Sequence, residues 1–174
     1  MTEQNDSLKS ILKGKSFKFG DDISTDLIAP GRYFHLRSDL KELARHVLED
    51  ADREFAGKVR PGDLIVAGRN FGLGSSREHA PAIIKLSGVG AVLAKSFARI
   101  FFRNSINIGL PVLICDTDNI SDGDELEIDL ARGKIKNITK NTEIGFKALP
   151  EVMIKLLSDG GLVEHIKKNK GFNL

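Results

Sequence analysis

The chain has 174 residues, 41% hydrophobic and 29% charged, with a formal net charge of +2 from 26 basic and 24 acidic residues. That balance describes one globular domain of ordinary size; it excludes a disordered polymer, and the mixed charges offer no basic surface for nucleic acid. No apolar run approaches the roughly 20 residues that span a bilayer, and the opening MTEQNDSLKSILKGKS reads neither as a secretory signal nor as an Arg-rich transit peptide. The single cysteine, Cys115, closes the apolar run LPVLIC and reads as a core residue. One cysteine allows no intramolecular disulfide, which points to a reducing, cytoplasmic setting.

Residues 1–13 are polar and read as a flexible tail, with the folded domain expected over 14–174. KSFKF (15–19) alternates and predicts a strand. GDDISTDLIAPGR (20–32) is rich in turn residues and reads as one long loop without regular structure. From Asp39 the apolar residues Leu40, Leu43, Ala44, Val47 and Leu48 fall at helical spacing, with Asp39 and Glu42 as a capping box. DLIVAG (63–68), GVGAVLAKS (88–96) and LPVLIC (110–115) are short apolar runs of the kind buried on both faces of a parallel sheet. A helix to about Ser87 separates the first two. FARIFFRNSINIG (97–109), a helix closed by Gly109, separates the last two, and its Phe97, Phe101 and Phe102 are spaced as core residues. Strand and helix alternate here, as in a parallel sheet covered by helices. Beyond it, ELEIDL, KIKNIT and EIGFKAL alternate with period two and predict antiparallel strands. Two short helices around Gly160 and Gly161 end the chain, and the charged EHIKKNK reads as a solvated helix face.

The stretch GRNFGLGSSREHA (68–80) places three glycines between a buried strand and a helix. Unpaired N–H groups and the helix dipole make such a corner an anion site. Gly72 and Gly74 allow a ligand close to the backbone, and Arg77 adds a planar fork suited to a carboxylate or phosphate. The plainer alternative is a capping box, Ser75 with Glu78, and no ligand at all. Sharper motifs do not fit. Arg77 stands where a dinucleotide-binding loop has its third glycine. GKS (14–16) lacks the upstream glycine of a phosphate loop, and no nucleophile elbow is present. His79 lies four residues after Ser75 and could face it on a helix, but a surface or core histidine is the simpler reading. His35, His46 and His165 are scattered, and no metal-ligand spacing occurs. Pro81 implies that the helix kinks or starts late.

The stretch GRNFGLGSSREHAPAIIKLSGVGAVLAKSFARIFFRNSINIGLPVL resembles the swivel domain of the aconitase superfamily, and DDISTDLIAPGRY resembles that domain's opening loop. As a free chain of this size it is similar to the small subunits of 3-isopropylmalate dehydratase and homoaconitase. The resemblance implies an α/β fold, a three-layer β/β/α swivelling domain with a mixed sheet. It implies a hydro-lyase that interconverts hydroxy acids by dehydration and rehydration, which needs a strong base and a Lewis acid. By resemblance the base is Ser75. Ser76 and Arg77 bind a substrate carboxylate, and Thr25 and Asp26 order the site together with Gly72 and Gly74.

One cysteine cannot hold an iron–sulfur cluster. The resemblance therefore implies a partner, a large subunit carrying a four-iron four-sulfur cluster on three cysteines, with no metal on this chain. The loop RYFHLRSD would set the substrate. Tyr33, Phe34 and Leu36 suit an isopropyl group, whereas Arg37 suits a second carboxylate. 3-Isopropylmalate is the leading expectation and a homoaconitate-type acid the second. A non-catalytic module binding an anionic metabolite, and a purely structural subunit, remain as readings of another class.

Overall fold

A computed structural model of the chain describes residues 11–171. Seven strands form a single sheet: β1 (Ile11–Lys18), β2 (Leu64–Ala67), β3 (Ala91–Ala94), β4 (Val112–Ile114), β5 (Glu125–Asp129), β6 (Lys134–Asn137) and β7 (Thr142–Gly145). Their order across the sheet is β4-β3-β2-β1-β5-β6-β7. The pairs from β1 to β4 are parallel, and those from β1 through β5 and β6 to β7 are antiparallel. β1 joins the two halves. Ile11–Lys15 pair with β5, and Ser16–Lys18 pair with β2. Gly14 lies at this change of neighbours, where a Cβ would fall 2.1 Å from the Gly62 carbonyl oxygen.

Period-two alternation divides the parallel strands between two cores. Ile65, Ala67, Val92, Ala94 and Val112 face the helices. Leu64, Val66, Ala91, Leu93 and Leu113 face the other way, against Leu126, Ile128 and Ile135 of the antiparallel half. The sheet thus curls over itself beneath a helical layer, which gives the expected β/β/α layering with a mixed sheet. Its two edges come together at one antiparallel bridge, Cys115 with Phe146.

The helices are α1 (Thr25–Ile28), a 3-10 helix (Gly31–Leu36), α2 (Leu40–Ala44), α3 (Phe55–Lys58), α4 (His79–Leu86), α5 (Arg99–Asn107), α6 (Glu151–Ser158) and α7 (Leu162–Asn169). Several differ from the sequence reading. Residues 1–10 of the expected tail lie outside the described residues, and Ile11–Lys13 belong to β1. The stretch 20–32 is not wholly irregular: Ser24 caps α1, its hydroxyl accepting the Leu27 N–H at 3.2 Å. Asp39 caps α2 as expected, accepting the Glu42 N–H at 3.1 Å, but Glu42 turns to Arg45 instead of closing the box. Regular helix then stops at Ala44, although Val47 and Leu48 are fully buried.

The helix after the glycine loop starts late, at His79, with Glu78 at its N-cap and no side-chain cap. Pro81 therefore sits in the first turn, where an N–H has no intrahelical partner to lose. The C-terminal stretch is also less solvated than its charge suggested, because His165 is buried and its Nδ1 pairs with Asp159 at 2.7 Å.

Candidate active site

β1 and β2 are parallel neighbours, so the loops after them leave the same end of the sheet, the carboxyl end where ligands of open α/β sheets collect. The two loops are joined by backbone hydrogen bonds. The Gly68 N–H donates to the Gly20 carbonyl at 3.0 Å, Asp22 to Arg69 at 2.8 Å, Gly72 to Ile23 at 2.7 Å and Thr25 to Leu73 at 2.8 Å. Side chains add to this. The Arg69 N–H donates to Asp21 Oδ1 at 2.6 Å, and Asn70 Nδ2 donates to Asp22 Oδ1 at 2.8 Å. The loops therefore form one rigid unit.

That unit carries seven of the eight expected residues. Thr25 is 1% exposed and lies under the glycine loop. Its Oγ1 accepts the Ser75 N–H at 3.2 Å and lies 3.3 Å from Ser75 Oγ. Gly74, at φ +111°, permits the approach, since a Cβ there would be 3.0 Å from Thr25 Oγ1. Gly72 has φ +78°, and a Cβ would fall 2.2 Å from the Phe101 ring. The second glycine is therefore dictated by packing behind the loop, and the first-named by contact with Thr25 in front of it. Arg77 Nη1 pairs with Asp26 Oδ1 at 2.6 Å and donates to the Ala29 carbonyl at 3.2 Å. Those contacts use one nitrogen and leave Nη2 and Nε for a ligand. Ser75 and Ser76 are exposed, and Ser76 has no hydrogen-bond partner among the described residues.

The capping reading of Ser75 does not hold, because α4 starts four residues beyond it. Nor is Ser75 at the helix N-terminus, so the helix dipole does not act directly on it. His79 makes no hydrogen bond to Ser75. Burial and the neighbouring Arg77 charge push its pKa below the ordinary histidine value. Its ring meets the edge of Phe34 at 6.3 Å, a contact that the sequence reading missed, as it missed the Ala29 carbonyl. Neither leaves a signal in spacing: the first depends on where the 3-10 helix places Phe34, the second on α1 ending beside the glycine loop.

Arg37 stands apart from the other seven. It is exposed and its guanidinium lies over the Phe34 ring, 4.5 Å from the centroid. Tyr33 belongs to the anchor of the loop, stacked on His46 at 3.7 Å with its hydroxyl on Glu49 at 3.1 Å. Phe34, 47% exposed, is the apolar side chain this segment leaves free.

Cys115 does not suit a cluster. It is buried at the seam of the sheet, and burial pushes its thiol up to about 12. Among the described residues no group of three or more His, Cys, Asp or Glu side chains is placed to hold a metal ion. No helix among them is long and apolar enough to cross a membrane.

Residues 31–117 match the family model of the aconitase C-terminal domain. The 3-isopropylmalate dehydratase small subunit 2 of Archaeoglobus fulgidus is 65% identical over 156 residues, covering 90% of this chain and 94% of that one. The corresponding small subunit 1 of Thermotoga maritima is 58% identical over 163 residues, covering 93% and 98%. The crystal structure of a 3-isopropylmalate dehydratase from Methanocaldococcus jannaschii superposes with a TM-score of 0.87 at 50% identity, over 92% of this chain and 95% of that one. The chain belongs to the aconitase C-terminal domain family, within its group of 3-isopropylmalate dehydratase small subunits.

Proposed function

We propose that this chain is the small subunit of a cytoplasmic 3-isopropylmalate dehydratase, a hydro-lyase of leucine biosynthesis that interconverts 2- and 3-isopropylmalate. The single observation that carries this reading is the exposed Ser75 hydroxyl, held beside a buried threonine hydroxyl and close in sequence to a half-free guanidinium. The relatives' shared name supports the substrate. No side-chain group of this chain is placed to hold a metal among the described residues, so a large subunit would hold the four-iron four-sulfur cluster, which when bound would supply Lewis acidity.

This chain contributes the base. Ser75 Oγ takes the carbon-bound proton next to a substrate carboxylate and returns a proton in the reverse direction. Serine is a weak base unless its alkoxide is stabilised. Thr25 supplies that stabilisation. Its Oγ1 already accepts the Ser75 N–H, so its own hydroxyl proton is free to donate to the alkoxide. Arg77 pairs with a substrate carboxylate through Nη2 and Nε while Asp26 fixes the fork, and Ser76 donates to the same carboxylate. Phe34 offers the isopropyl group an apolar wall. Arg37, folded on that ring, is not a buried unpaired charge facing it.

The test is Ser75→Ala in the reconstituted two-subunit enzyme. Turnover should fall about 10²-fold or more with assembly intact. Unchanged turnover would remove Ser75 as the base.

A further inference from the structure

α5 turns Phe101, Ser105 and Ile106 into the core, Phe101 against Gly72. Beside them Arg99, Phe102, Arg103 and Asn107, at spacings of three and four, make a second face of mixed character. This face is one wall of an open groove of about 610 Å³. Ile114 of β4 lies at its base, and Met153 and Leu156 of α6 form the other wall. Ile114 is 49% exposed although Val112 and Leu113 beside it are buried. α6 is similar: five of its eight residues are apolar and none is fully buried. Such a surface, where a strand end and two helices meet, marks an interaction site.

Charge says what fits it. Arg99 and Arg103 stand exposed on the groove wall, and among the described residues neither makes a hydrogen bond or an ion pair. An occupant with apolar side chains and carboxylates complements both features. Position says where the occupant comes from. Phe97, at the end of the groove, stacks on Phe101 at 6.3 Å and meets the edge of Phe71 at 6.0 Å. Phe97 also forms a parallel bridge with Phe71, which opens the loop that carries Ser75, so this end of the groove adjoins the corner that the other subunit must cover.

We propose that the groove seats an acidic, apolar-faced segment of the cluster-bearing large subunit. The inference rests on the chain being half of a two-subunit enzyme, and its test separates the two claims. Wild-type chain is first titrated into the large subunit. Failure to form an active complex counts against the proposed function itself. With that complex in hand, Ile114→Asp and the double variant Arg99→Glu, Arg103→Glu are titrated in the same way. Circular dichroism checks that each free variant is folded. Both should weaken assembly about tenfold or more, with turnover regained at saturating large subunit. The milder Arg103→Gln should flatten the salt dependence of assembly. Wild-type affinity and salt dependence in folded variants overturn the proposal. So does a loss confined to self-association of the free chain, which would make the groove a contact between its own copies.

Discussion

A methyl group at residue 72 has no room, because the Phe101 ring occupies its place and the backbone is left-handed. Gly72→Ala should therefore lower unfolding free energy by about 2 kcal/mol or more in urea titration, through strain and overpacking together. Gly74→Ala meets a hydroxyl rather than a ring, and its larger effect should be on turnover, since it pushes on Thr25. Thr25 itself gives the sharper test. Thr25→Val keeps the shape and removes both contacts to Ser75, whereas Thr25→Ser keeps the oxygen. Valine should lower kcat with little change in KM, and the rising limb of the pH profile should move to higher pH, because the ionised base has lost a donor. Serine should restore much of both. Equal effects of the two substitutions would mark Thr25 as a packing residue. Arg37→Leu is the substrate test. Lying exposed on Phe34, Arg37 should matter little for isopropylmalate in a substrate panel, and more for any acid with an additional carboxylate.

At the scale of elements, the 3-10 helix of residues 31–36 has no fully buried side chain and is held from outside. Arg32 pairs with Glu49 at 3.0 Å and Asp50 at 2.7 Å, and His46 Nδ1 meets Glu49 at 2.6 Å. The His46 contact, with those from Arg32 and Tyr33, holds the Glu49 carboxyl down to about 2. A carboxyl depressed by folding contributes stability above its unfolded value, near 4.5, and loses it as pH falls toward 2. Hydrogen-exchange protection of residues 31–36, relative to the unfolded chain at the same pH, should thus fall between about pH 4.5 and pH 2, and Glu49→Gln should show the low protection already at neutral pH.

None of this clamp is legible in the sequence, since Arg32 and Glu49 are 17 residues apart and nothing local pairs them. β2 and β3 were legible because a wholly apolar run of four between turn residues has few alternatives. α1 was not, because a single serine-capped turn looks like loop chemistry. Of the site, Ser75, Arg77, Thr25 and Asp26 were named from their motifs. Their mutual geometry came only with the pairing of β1 and β2.

At the scale of the molecule, the proposed base stands on a chain with no group of side chains placed to hold a metal ion among the described residues. Purified alone it should show no turnover, and activity should rise with added large subunit and then saturate. A free chain that turned over isopropylmalate by itself would end the two-subunit reading. The need for a partner could be inferred from one cysteine. The groove that would receive the partner could not, because α5, β4 and α6 supply its lining from distant parts of the chain.

Acid should act on the whole fold. Hydrogen bonds from Lys168 and His165 hold Asp159 below the usual carboxylate range, and those from Ser121, Asn137 and Lys140 outweigh burial at Asp124. The melting temperature should slip slightly below about pH 6.5, where the folded chain resists protonation of His79, and decline further below about pH 4.

The meeting of Cys115 and Phe146 bears on how such a subunit lives before it finds its mate. Where the outermost strands run only three and four residues and curl toward each other, little main chain is left for a stranger to zip onto. A newly made copy can wait in a crowded cell without ribboning into fibres, and the choice of companion falls to side chains, which can be selective, and not to backbone, which pairs with anything.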